Sequence, residues 1–89
     1  MNEINFNTLR EKLEKQEWPS VYMFKFIIES GNKNLALLEA LFSETSKINL
    51  KESSNGKYIS LTATELMLSA NDVIDVYKNA SKIEGIISL

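Results

Sequence analysis

Apolar and polar positions alternate most regularly between Ser20 and Glu29. Tyr22, Phe24, Phe26 and Ile28 take one face, and Val21, Met23, Lys25 and Ile27 the other. A period of two sends successive side chains to opposite sides of a strand, and aromatic and β-branched residues suit that pleated surface. Both sides are largely apolar, so the strand is expected at the centre of a sheet, with Lys25 as its interior charge. Before it the spacing turns helical: Phe6, Leu9 and Leu13 recur at i, i+3 and i+7 and predict a helix over 6–16. Thr8 with Glu11 fits a capping box, with Asn5 or Asn7 as alternative caps. Trp18-Pro19 ends this helix, because proline drives the preceding residue away from helical geometry.

Ser30-Gly31-Asn32 breaks the strand, and Leu35, Leu38, Leu41, Phe42 and Thr45 form a stripe that predicts a helix over 33–45. Lys47 to Ser53 alternates as an edge strand, with Ile48 and Leu50 against Lys47, Asn49 and Lys51; edge lysines discourage pairing with other strands. Ser54-Asn55-Gly56 predicts a type I′ hairpin turn. Alternation resumes over 57–66, with Ile59, Leu61 and Ala63 against Tyr58, Ser60, Thr62 and Thr64. Ser69-Ala70-Asn71-Asp72 caps a helix to about Ser81 that turns Val73, Val76, Tyr77 and Ala80 inward. Ile83 to Leu89 reads as a last strand beside the central one.

After the first helix the order is β-α-β-β-α-β, which predicts an α+β, ferredoxin-like sandwich. Its four-stranded antiparallel sheet is expected in the order 4-1-3-2, with two helices on one face and right-handed crossovers. Phe24, Phe26, Ile28, Ile59, Leu61 and Ala63 would then face the helices. Residues 1–17 read as an N-terminal helical extension and 18–89 as the domain. The extension must bury Phe6, Leu9, Leu13 and Trp18, and is expected on the sheet edge, on the open face or on a second copy.

Composition narrows the chemistry. The chain has 89 residues, 44% of them apolar and 25% charged, enough for one domain with one core. It contains neither histidine nor cysteine, which removes the commonest general base, the thiolate nucleophile, zinc sites of the His/Cys kind and disulfides. A net charge of −2 argues against a phosphate backbone as partner. An RNA-binding variant of the topology would also carry several stacking aromatics on the open face, where only Tyr58 qualifies. No apolar run reaches membrane-spanning length, and Met1-Asn2-Glu3-Ile4-Asn5 lacks the basic and apolar regions of a secretory signal. A cytoplasmic location is expected.

Phe24-Lys25-Phe26, the hairpin run Ser53-Ser54-Asn55-Gly56-Lys57-Tyr58-Ile59-Ser60, and Tyr77 at its distance from Tyr58 together resemble a small bacterial family of uncharacterised proteins, the YbeD-like family. The closing Ile86-Ile87-Ser88-Leu89 shares its apolar character, so the likeness runs from about Trp18 to Leu89. The resemblance implies a ferredoxin-like fold similar to ACT domains, which bind amino acids at subunit interfaces. The first helix departs from the shorter members, and no role is carried over to it.

Lys25 stands out as a charge between Met23 and Ile27, able to meet Tyr58 or a ligand anion. Its plainer role is to lay its stem on the sheet and send the ammonium to water. Tyr58, Ser60, Thr62 and Thr64 make a polar row beside it, which could hold a small acid or dock a partner, though threonine-rich outer faces are common in sheets. Ser30, Gly31 and Asn32 lead to a helix N-terminus whose free N–H groups attract anions. The Pro and Asp typical of the ACT ligand loop are missing there, and Glu29 would repel an anion. Ser53 to Lys57 is no phosphate loop, since it joins two strands. Asp72 with Asp75 and Glu11 with Glu14 read as solvated helix faces, so no metal and no cofactor is expected. The reading is a non-enzymatic module acting by association, with a second copy or another protein as partner. A domain binding a small carboxylate or amino acid through Lys25, Tyr58 and the Ser30–Asn34 loop is the alternative.

Overall fold

The strand of strict alternation, β1 (Ser20–Glu29), covers the predicted residues and lies inside the sheet. A computed structural model describes residues 5–89; Met1–Ile4, part of the stretch read as lacking a secretory signal, lie outside the described residues. Around β1 come α1 (Phe6–Glu14), α2 (Asn32–Glu39), β2 (Lys47–Glu52), β3 (Tyr58–Met67), α3 (Ala70–Ala80) and β4 (Ile87–Ser88). The sheet is four-stranded, in the order β2-β3-β1-β4. Its neighbours β2–β3, β3–β1 and β1–β4 are all antiparallel, the pairs that an order of 4-1-3-2 names from the β4 edge. Phe24, Phe26, Ile28, Leu61 and Ala63 are fully buried with Leu38, Val73 and Ile74 of the helices, and Ile59 is half-buried against them. No helix among the described residues is long and apolar enough to cross a membrane.

Three helices, not two, cover this side. Leu13 of α1 is only 2% exposed and belongs to the same core. Its helix lies along α3: Arg10 donates to the Asn71 side chain, and the Lys78 ammonium sits 5.7 Å from the Phe6 ring centroid. The Trp18 indole N–H closes the turn by donating to the Leu13 carbonyl at 2.9 Å. Within the chain the helix therefore docks on α3 rather than on the sheet edge or the open face, which corrects that part of the expectation. An amphipathic stripe fixes that a helix must be buried, not which surface buries it.

Element ends differ where side chains far along the chain, or a local turn, compete for backbone groups. Asn5, and not Thr8, caps α1, its Oδ1 accepting from the N–H groups of Asn7 (3.1 Å) and Thr8 (3.2 Å). The helix α2 stops at Glu39 because the Glu65 carboxylate takes the Ser43 backbone N–H (2.7 Å) and hydroxyl (2.8 Å), pulling the chain off the helical path. The β2–β3 turn is longer than a two-residue type I′ turn. Ser53 N–H donates to the Tyr58 carbonyl (2.8 Å), the Asn55 side chain accepts from Lys57 N–H (3.0 Å), and only Gly56, at φ 72°, is left-handed there. Gly85, at φ 75°, shortens the last strand; Ile83 and Ile86 are buried from the loop before it. Ser69 caps α3 as expected, accepting from Asp72 N–H at 3.2 Å.

Leu13→Ala is expected to cost about 2–4 kcal/mol in urea unfolding; a loss below about 0.5 kcal/mol, typical of an exposed residue, would show that α1 is not part of the core. Tyr77, 6% exposed, meets Tyr22 hydroxyl to hydroxyl at 3.0 Å. Burial first, and then the hydrogen bond to Tyr22, holds its phenol far above the ordinary range. Above about pH 10 the unfolded chain loses this proton first, so the unfolding free energy falls by up to about 1.4 kcal/mol per pH unit. Urea titrations between pH 9 and 11 should show a shallower fall in Tyr77→Phe than in the parent protein.

Candidate interaction face

The second side of the sheet carries the residues of opposite parity, and among the described residues no helix covers it. Register sets its rows. Lys51, Ser60, Ile27 and Ile87 form one; Asn49, Thr62 and Lys25 form the next, which Leu89 continues by donating its backbone N–H to the Lys25 carbonyl at 2.9 Å. Lys47, Thr64 and Met23 come third, and Leu66 with Val21 fourth. Tyr58 and Glu29 close the opposite end.

The predicted site residues divide between two places. Lys25 is exposed and lies directly opposite Thr62, with Ser60 one row along beside Ile27. Tyr58 is four residues from Thr62 along β3, about 13 Å at strand rise, so the register does not bring the phenol to the ammonium. Instead Tyr58 lines a shallow hollow of about 190 Å³ with Ile27, Lys51, Glu52, Ser53 and Ser60. Ser30 belongs to the same end, and its polar atoms are committed. Its N–H donates to the Lys57 carbonyl (2.8 Å) and its hydroxyl to the Gly56 carbonyl (2.6 Å), fastening the end of β1 to the hairpin. Gly31 and Asn32 follow at the start of α2, where no side chain caps the helix. A hollow of about 350 Å³ between Glu29, Ser30, Gly56, Lys57 and Tyr58 opens nearby, with the Glu29 carboxylate at its rim.

Sequence reading placed Val21 and Met23 on this side of β1 but left out the contribution of β2. Lys47, Asn49 and Lys51 share this face, because β2 pairs with β3 in the register that sets Lys51 opposite Ser60. Val21 (66% exposed), Met23 (65%), Leu66 (59%) and Leu89 (64%) add apolar surface. The strand residues of the face carry three lysines and one carboxylate, a local charge of +2 on a chain of net −2, so the remainder carries −4. No group of three or more acidic side chains among the described residues is placed to hold a metal ion.

Residues 14–89, from the last residue of α1 onward, match the family described as Protein of unknown function (DUF493). The chain belongs to the DUF493 family. This is the YbeD-like family whose hairpin and central-strand residues the chain shares. Neither a curated protein nor a solved structure matches it. Within the DUF493 span lie all four strands, α2 and α3, while Phe6 and Leu9 of α1 fall before it.

The hydrogen bonds of Ser30 give it a structural role at the hairpin. Ser30→Ala is expected to lower stability by about 0.5–1.5 kcal/mol in thermal or urea unfolding, and an unchanged midpoint would free Ser30 for a binding role.

Proposed function

We propose that this DUF493 protein is a non-enzymatic interaction module of ferredoxin-like, ACT-like build, which docks another protein on the helix-free face of its sheet and regulates it. One observation carries the reading. Val21, Met23, Leu66 and Leu89 are exposed beside Lys25 and Lys47 on a face whose charge is opposite in sign to that of the whole chain. Covering apolar surface releases about 25 cal/mol per Å², which gives such a face its affinity. Lysines set among the apolar residues select a partner whose contact surface is apolar and carries carboxylates, and they repel basic ones.

A small carboxylate is the second reading, favoured by one feature: Lys25 shares its row with Asn49, Thr62 and Leu89, none of which brings a side-chain carboxylate. Ammonium and hydroxyl could then hold a carboxylate between β1 and β3, without the Tyr58 phenol.

The immobilised protein is expected to retain a partner from an extract of its native cells, and the Lys25→Glu, Lys47→Glu double variant to retain it about tenfold less. Equal retention by both forms would remove the face as the docking surface. A thermal shift with amino acids or small carboxylates that disappears in Lys25→Ala would support the second reading instead.

A further inference from the structure

The β4 side of β1 is covered along only part of its length. On its β3 side β1 is paired from Ser20 to Glu29, but β4 pairs with Phe26 and Ile27 alone, and Leu89 adds its bond to the Lys25 carbonyl. In an antiparallel strand the N–H and C=O of one residue point to the same neighbour, and successive residues alternate. The Lys25 carbonyl points to the β4 side, so the backbone groups of Met23 and Val21 point there too, and among the described residues no strand lies beside them. Such an open edge is a template for another strand. Val21 and Met23, at 66% and 65%, are also among the most exposed large apolar side chains described.

We propose that a second copy of the chain occupies this edge, with Ser20–Phe24 of the two β1 strands pairing antiparallel about a two-fold axis at Tyr22. In that register Val21 faces the partner's Met23, and Met23 the partner's Val21. The N–H and C=O groups of these residues close four hydrogen bonds across the axis. Tyr22, whose own backbone points to β3, meets its counterpart as the central non-hydrogen-bonded pair. Apolar side chains left in water in one copy cover each other.

The ends of the free segment fit a second copy. Beyond Ser20 the next residue on that side is Pro19, which has no N–H to donate. It would fall opposite the partner's Lys25, whose carbonyl is already taken by Leu89. The chain leaves the strand line at this point, bending at Trp18–Pro19 with the Trp18 indole tied back to Leu13. The open backbone is therefore bounded at equal distances on either side of Tyr22, as a two-fold pairing requires. Charge does not oppose it: Lys25 and its counterpart end about 20 Å apart along the strands, beyond the screening length of about 8–10 Å. Val21 and Met23 also belong to the helix-free face, but the pairing is made by their backbone groups at its edge, and the oligomeric state tests it separately from what that face docks.

Sedimentation of the full chain over a range of concentrations should show a monomer–dimer equilibrium. Backbone amide exchange should slow at least tenfold at Val21 and Met23 as the dimer fills, while amides of β3 stay unchanged. The Val21→Lys, Met23→Lys double variant sets like charges directly opposite each other across the axis, at positions exposed in the monomer, and should weaken the dimer at least tenfold while keeping the unfolding midpoint. A monomer at every concentration, a dimer whose Val21 and Met23 amides exchange as in the monomer, or a dimer unaffected by the two lysines would each overturn the proposal.

Discussion

Phe24 has no exposure to water and touches four other aromatic rings: Tyr22 at 4.7 Å between centroids, Phe42 and Tyr77 at 5.4 Å, and Phe26 at 6.3 Å. Three of these five rings come from one strand, one from α3 and one from the turn after α2. A single strand cannot keep its own side chains dry, so the inward row of β1 obliges both helical segments to lie on the same side. Tilted and edge-to-face rings at these distances add about 0.5–1.5 kcal/mol per pair beyond the area they bury. The β1–β3 pairing, continuous over ten residues, then carries the rest of the core with it by placing Leu61 and Ala63 beside Phe26 and Phe24.

The first helix answers a shortage of surface. A chain of this size buries a smaller fraction of itself than a larger one does, and α2 is only eight residues long. Leu13, the half-buried Phe6 and Leu9, and the Trp18 turn extend the core beyond α3 instead. Although α1 begins before the DUF493 span, its apolar stripe shares one core with residues inside it. The docking uses α3 as a platform: Ala70, Val73, Ile74, Val76, Tyr77 and Ala80 are buried around much of that helix, and two layers contact it.

Sequence periodicity was legible wherever a local rule decided the outcome. Strict alternation placed β1 to the residue, the Ser69 cap fixed the start of α3, and parity put Phe24, Phe26, Leu61 and Ala63 inside and Lys25 and Thr62 outside. What escaped depends on contacts between residues far apart in sequence, or on turn geometry. Glu65 ends α2 from 22 positions away, and Arg10 meets Asn71 from 61. The separation of Tyr58 from Lys25 follows from register, which pairing between whole strands sets and no single strand reveals. The hairpin failed for a different reason: Asn55 uses its side chain as a hydrogen-bond acceptor and so does not take the left-handed backbone that a type I′ turn asks of it.

The two sides of the sheet differ in a way that packing alone does not require. An antiparallel sheet with one covered side normally shows polar residues on the other, and β3 does so with Ser60, Thr62 and Thr64. On the neighbouring strand Val21, Met23 and Ile27 point the same way. Strand propensity explains a Val or an Ile on a pleated surface, but Met gains little there and leaves a flexible apolar chain in water. The departure is greatest at the end of β1 nearest Ser20, where the side chains are most exposed and the backbone lacks its second neighbour. Two independent properties, side-chain hydrophobicity and unpaired backbone, therefore fail to be satisfied at the same residues. Isolated exposed apolar side chains need no explanation; their coincidence with an open edge is what distinguishes this strand from ordinary surface.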